Sequence, residues 1–121
     1  MTERCIWLGF QEDILPVLAA TDVLLLCSER EALGLSVIEA MAMGVPVVVT
    51  DDGGMPEIVH DKVNGLVVPA GDVAAIAGAL VEVLGDWGLA TALGAEGRRR
   101  VESCFTAQQC AERVMSVFDS V

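Results

Sequence analysis

Two glutamates, Glu31 and Glu39, are separated by seven residues and are the side chains best suited to chemistry in this sequence. Ionised carboxylates accept hydrogen bonds from neighbouring hydroxyl groups, so such a pair suits a sugar or a ribose. Further along, Gly53-Gly54 could let backbone N–H groups approach an anion such as a diphosphate. Each feature also has an ordinary interpretation: Glu39 could be solvated on an exposed helix face, and the glycine pair could form a simple turn.

The elements around the two glutamates would hold them at one edge of a sheet. Val23–Cys27 and Val45–Val49 are short apolar runs typical of buried parallel strands. Leu35–Met43, between them, has apolar residues at helical spacing and is followed by Gly44, which favours a helix end. The first glutamate then lies in the loop after a strand and the second within the helix. In open α/β sheets, ligands bind where parallel strands end.

The remaining pattern predicts one α/β domain over residues 1–121. We expect a partial Rossmann-like parallel sheet of about four strands, flanked by helices. The other two strands are predicted at Cys5–Phe10 and Leu66–Val68. Helices are predicted at Gln11–Ala20 (starting near Leu15 because of Pro16), Val73–Leu84 capped by Asp72, from Asp86 to about Ser103, and after Thr106.

Composition argues against several classes of partner. The formal net charge is −11, so we expect no nucleic acid and no anionic membrane as a ligand, since both require a basic patch. The run Arg98-Arg99-Arg100 is the main basic cluster and is interpreted as part of a helix surface.

The cysteine pattern and the apolar runs set further expectations. The four cysteines form no Cys-x-x-Cys pair, so a zinc site is not expected. No apolar run approaches membrane-spanning length and no signal peptide is apparent, so we expect no transmembrane segment. A cytoplasmic, reducing location is the resulting expectation.

Several ordered motifs extend the pattern begun by the two glutamates. Ala40-Met41-Ala42, Gly44 and Pro46-Val47 follow the second glutamate; Gly53-Gly54-x-x-Glu57 and Asn64-Gly65 come later. From about Trp7 to the C-terminus, this order resembles the nucleotide-sugar-binding half of retaining glycosyltransferases of the GT-B fold, specifically glycosyltransferase family 4. In the family, the nucleotide-binding domain begins further upstream with two strands and a Gly-rich loop, and a separate acceptor-binding domain precedes it. The chain therefore resembles the last part of such an enzyme.

The resemblance implies a role for each matching residue. Glu31 would be the catalytic-site carboxylate, bound to hydroxyls of the transferred sugar near its reacting carbon. Glu39 would bind the ribose. The other donor contacts implied are Ser28, Gly34, Leu35, Gly53, Gly54 and Met55. The implied substrate is a nucleoside-diphosphate sugar, and no cofactor or metal is expected. Ala32-Leu33 and Cys27 depart from the usual family residues, which leaves the identity of the sugar open.

The resemblance also implies how the chain behaves by itself. Without the upstream strands, acceptor domain and diphosphate-binding cations, we expect a donor-binding fragment that is inactive in transfer. Val23–Cys27 would then have an open edge. We therefore expect a homodimer through Cys5–Phe10 or the helix after it, or association with the missing N-terminal part.

Two alternative functions fit parts of the sequence. One is a non-enzymatic truncated α/β module that serves only in self-association or protein interaction. The other is a phospho-acceptor receiver, prompted by Asp51-Asp52, but the lysine expected two strands later is absent.

Overall fold

The α/β class predicted from the sequence is confirmed. The computed structural model describes residues 5–9, 13–27, 35–51 and 58–104. The helices are α1 (Leu15–Ala19), α2 (Leu35–Ala42), α3 (Val73–Gly85) and α4 (Trp87–Cys104), and the strands are β1 (Leu24–Leu26), β2 (Val47–Thr50) and β3 (Leu66–Val68).

The three strands form one parallel sheet in the order β1-β2-β3. Val48 in the central strand is aligned with Leu25 on one side and with Leu66 on the other. All four residues of β2 are buried. Because helices cover both faces of this strand, a continuous apolar run was the right signal for it, rather than an alternating pattern.

The strand predicted at Cys5–Phe10 was wrong for the residues that the structure describes. Residues 5–9 form no strand, and Ile6 and Trp7 are 82% and 94% exposed. The described sheet therefore has three strands rather than about four. A strand requires a neighbour for its N–H and C=O groups. The apolar pattern of this segment shows which residues favour burial, but it carries no information on whether such a neighbour exists.

Helix ends lie where the cap residues predicted them. Asp72 Oδ1 accepts a hydrogen bond from Ala75 N at 2.9 Å, and Asp86 Oδ1 accepts one from Leu89 N at 3.0 Å. Gly44, after α2, has a φ of 75°, a conformation that suits glycine at a helix end. These caps fix where α3 and α4 begin and so which of their faces meets the sheet.

Helix α4 contributes to the core on both faces of the sheet. Leu93 packs in a cluster with Val48 and with Val83 of α3. Val101, two turns later, packs in the opposite cluster with Met41 of α2. The helix therefore passes from one face to the other beneath the amino ends of the strands.

Two buried glycines let α4 come close to the elements that it crosses. A Cβ placed on Gly94 would collide with the carbonyl oxygen of Gly44. A Cβ on Gly97 would lie 3.4 Å from the Asn64 carbonyl oxygen and 3.4 Å from Met41 Cγ. The glycines that weaken the intrinsic helix propensity of α4 thus permit backbone-to-backbone packing.

The Asn64-Gly65 turn sets the start of β3. Asn64 is 3% exposed, and its Oδ1 accepts a hydrogen bond from His60 N at 2.7 Å. Its Nδ2 donates to the Ile58 carbonyl at 3.4 Å. A Cβ on Gly65 would lie 2.6 Å from Val59 Cγ1, so this position has no room for a side chain.

Asn64→Ala should lower the free energy of unfolding by about 1–3 kcal/mol, because the His60 N–H would lose its acceptor inside the turn. Urea denaturation at a fixed protein concentration measures this loss. Asp61→Ala is the control, since it removes an exposed hydrogen bond of similar length, 2.9 Å to Val67 N, and should cost about 0.5–1.5 kcal/mol. Equal losses for the two variants would contradict the importance assigned to the buried amide.

Candidate functional site

The candidate site lies at the carboxyl edge of the sheet. Because the strands are parallel, Leu26, Thr50 and Val68 all end at this edge. The chain that leaves β1 returns as α2, so the amino end of α2 at Leu35 lies at the same edge. A helix amino end presents unpaired N–H groups and a partial positive charge to a ligand anion. The edge thus has the general form of an anion-binding site in an α/β sheet.

Asp51 links the loop after β2 to the loop after β3 through hydrogen bonds. Its backbone N donates to the Val68 carbonyl, and its Oδ1 accepts from Ala70 N, each at 2.9 Å. These two hydrogen bonds therefore hold Asp51, directly after β2, against the segment that follows β3. From the sequence, Asp51 was considered only as a candidate acid of a phospho-acceptor receiver. The sequence signal that could have indicated this link was an aspartate directly after a buried strand.

Glu39 lies in the second turn of α2, on the side away from the core. Val37, Ala40 and Met41 around it are each 0% exposed, whereas Glu39 is partly buried. Its carboxylate has no hydrogen-bond or ion-pair partner among the described residues. The side chain is therefore neither in the core nor fully surrounded by water, and its acceptor oxygens are not used by neighbouring described groups.

The other predicted site residues fall largely outside the described ranges. These residues are Ser28, Glu31, Gly34, Gly53, Gly54 and Met55, together with Glu57. Leu35 is described as the first residue of α2. One undescribed segment lies between Cys27, after β1, and Leu35, at the start of α2. The other lies between Asp51, after β2, and Ile58. Both segments therefore follow a strand of the same sheet.

A cavity of about 740 Å³ lies at the opposite, amino edge of the sheet. Its lining includes Asp22 and Pro46, which precede β1 and β2, and Trp87 at the start of α4. The position is away from Glu39 and from the ends of the strands. We therefore do not assign the donor site to this cavity.

The described residues also bear on metal binding and on membrane insertion. Within residues 5–9, 13–27, 35–51 and 58–104, no three His, Cys, Asp or Glu side chains converge as a set of metal ligands. No single helix in these ranges combines the length and apolar composition needed to cross a bilayer; α3 and α4 would do so only as a pair bent by 101°.

Comparison with known proteins matches the chain to part of longer enzymes. N-acetyl-alpha-D-glucosaminyl L-malate synthase of Bacillus anthracis is 32% identical over 119 residues, which are 98% of this chain and 31% of that protein. HepE of Anabaena, in a structure with UDP, shares 26% identity with a TM-score of 0.85, covering 99% of this chain and 33% of that one. The chain thus spans about a third of the length of these proteins.

A solved C-terminal domain gives a similar result. The C-terminal domain of a glycosyl transferase group 1 family protein, LpcC of Francisella tularensis, is 30% identical with a TM-score of 0.75, covering 82% of this chain and 52% of that one. These neighbours place the fold among GT-B glycosyltransferases. Residues 1–100 match the family described as glycosyl transferases group 1. The chain therefore belongs to the glycosyl transferases group 1 family.

Proposed function

We propose that this chain is the donor-binding part of a retaining glycosyltransferase of family 4, and that it binds a nucleoside-diphosphate sugar at the carboxyl edge of its sheet. The observation that carries the proposal is the position of Glu39. It is a partly buried carboxylate in the second turn of α2, the helix whose amino end lies at this edge, with no partner among the described residues. HepE, which shares this fold, was solved with UDP bound.

The chemistry follows from the residue types at the edge. Glu39 accepts hydrogen bonds from the ribose hydroxyls, and an ionised acceptor makes these bonds stronger than a neutral one would. The amino end of α2 and the backbone N–H groups of Gly53, Gly54 and Met55 face the negative charge of the diphosphate. Glu31 binds hydroxyls of the transferred sugar near its reacting carbon. Ser28, Gly34 and Leu35 complete the donor contacts.

Transfer itself depends on positioning and charge stabilisation. The leaving group is already a diphosphate, so the protein's task is to hold the donor and to stabilise the charge that develops on departure. Transfer also requires an acceptor site. Because the 121 residues span about a third of their relatives, we propose that by themselves they bind the donor without turning it over.

Titration of the isotope-labelled chain with UDP-glucose, and separately with GDP-mannose, tests donor binding by NMR. We expect saturable shifts of the amide signals of Glu39 and Gly53, with those of Glu82 and Glu102 on α3 and α4 unchanged. The two donors also report which base the site accepts. A spectrum that stays unchanged with millimolar donor would contradict donor binding and favour the alternative, a non-enzymatic module for self-association or protein interaction.

A further inference from the structure

The outer face of α3 is apolar along its whole length. The residues of this face are Val73, Ala74, Ala77, Gly78, Val81 and Leu84, and all are exposed. Val73, Val81 and Leu84 are 76%, 71% and 61% exposed, and Trp87 directly after the helix is 83% exposed. At 100° per residue, Val81 and Ala74 point almost directly away from the buried Ala79 and Val83. An amphipathic surface helix would carry polar residues here.

Charge is also distributed unusually around this helix. The chain has 18 acidic residues and a net charge of −11. Glu82 is the charged residue within α3, and the helical spacing places it at the margin of the apolar face rather than at its centre. Two strongly acidic chains repel one another over most of their surfaces. The α3 face is a place where they can meet without bringing carboxylates into contact at the centre.

We propose that the α3 face is a homodimer interface in which α3 packs antiparallel against α3 of a second copy around a two-fold axis. A two-fold interface requires a patch that complements itself. When the two-fold axis crosses the helix pair at the level of Ala79, the numbers of two residues that face each other add up to 158. Val81 then faces Ala77 of the partner chain, Leu84 faces Ala74, and Val73 faces Gly85.

This arrangement sets a bulky side chain against a small one in each pair, which is how two close-packed helices fill the space between them. The small residues Ala77 and Gly78 near the axis permit a close approach of the two backbones. A Cβ on Gly78 meets nothing within 4 Å in one chain, so the space next to it is open for a partner.

The size of the face is adequate for a modest interface. Given about 150–250 Å² for an aromatic side chain and somewhat less for an aliphatic one, the exposed parts of the six residues of the face amount to roughly 500 Å² per chain. The two copies together would bury on the order of 1,000 Å², which is near the lower limit for a specific interface. Residues 5–9 are also apolar and exposed, but they form neither a helix nor a strand and so offer no regular face for a two-fold contact.

Sedimentation velocity of the whole chain at micromolar concentration tests the proposal. We expect a species of twice the 12.7 kDa chain mass, and a dimer dissociation constant at least tenfold weaker for Val81→Glu. Val63→Glu is the matched control, because it makes the same change at a valine that is 56% exposed on another surface. It should leave the dimer intact.

Two more variants keep the result interpretable. Gly78→Leu has open space in one chain and improves the helix propensity of α3, so it should raise the melting temperature of the monomer yet weaken the dimer at least tenfold. Ile6→Glu tests the alternative interface at Cys5–Phe10 that the sequence predicts. Added salt should tighten the dimer, since it screens the repulsion between two acidic chains.

The following outcomes would overturn the proposal. The first is a wild-type chain that sediments as a 12.7 kDa species throughout. The second is a dimer that Ile6→Glu dissociates and Val81→Glu does not, which would assign the interface to Cys5–Phe10. The third is a dimer that salt dissociates, which would indicate ion pairs rather than an apolar contact.

Discussion

Glu39→Gln should weaken binding of the nucleoside-diphosphate sugar by about ten- to a hundred-fold in a full-length protein that carries this segment. Glutamine has nearly the same shape, but it is neutral and presents one acceptor oxygen to the ribose instead of two. Loss of a hydrogen bond to a charged group costs about 1.5–3 kcal/mol, which corresponds to that factor. Helix α2 should remain intact, because its buried contacts come from Val37, Ile38, Ala40 and Met41.

Calorimetric titration of the wild type and the variant with the same donor measures the effect. Glu102→Gln is the control; that residue lies on exposed α4 surface, paired with Arg98 at 2.9 Å. It should leave the affinity unchanged, since an exposed pair of this kind contributes little. Equal affinities for Glu39→Gln and the wild type would remove Glu39 from the donor site.

Gly94→Ala should lower the free energy of unfolding by about 3 kcal/mol, although alanine is the better helix former. The added Cβ would collide with the carbonyl oxygen of Gly44. Because this oxygen belongs to the backbone, it cannot relieve the collision by rotating, as a flexible side chain could. Helix α4 would have to move away from the end of α2, and overpacking of this kind costs about 1–3 kcal/mol or more. Urea denaturation followed by circular dichroism measures the change.

Gly78→Ala is the matched control for this prediction. Gly78 also lies within a helix, but a Cβ there meets nothing within 4 Å in one chain, so the substitution should stabilise the monomer by about 0.5–1 kcal/mol when both variants are measured at a protein concentration that keeps them monomeric. The two substitutions are chemically identical and should have opposite signs. Stabilisation by both would show that α4 does not press against Gly44.

The parts of the fold that local chemistry decides were predictable from the sequence. Asp72 and Asp86 cap their helices as predicted, Gly44 ends α2, and Leu66–Val68 is a strand with the predicted bounds. Each of these features depends on a side chain or a backbone conformation within a few residues, so the sequence pattern carries the information.

Features that depend on distant parts of the chain were harder to predict. Residues 5–9 have a strand-like composition but pair with no strand within the part of the chain that the structure describes, because pairing is decided elsewhere in the chain. The passage of α4 between the two faces was also missed. By local propensity Gly94 is a weak point of a helix, and only the position of Gly44 reveals that it permits a close contact.

The candidate site shows the same division. The apolar spacing of Leu35–Met43 correctly predicted that Glu39 lies on a helix after a strand, and the structure adds that its side chain is partly buried. The link from Asp51 to Ala70 was not predicted, since the two residues are 19 positions apart and nothing in either local pattern indicates the other.

The course of α4 also has a consequence for synthesis of the chain on the ribosome. Leu93 belongs to one hydrophobic cluster and Val101 to the other, so neither cluster is complete until the last turns of α4 have been made. An emerging chain that ends before this helix would leave Met41 of α2 without Val101 and Val83 of α3 without Leu93, and apolar surface exposed in this way favours aggregation. We therefore expect the sheet to acquire protease resistance late and in one step, once residue 101 has cleared the exit tunnel, rather than strand by strand.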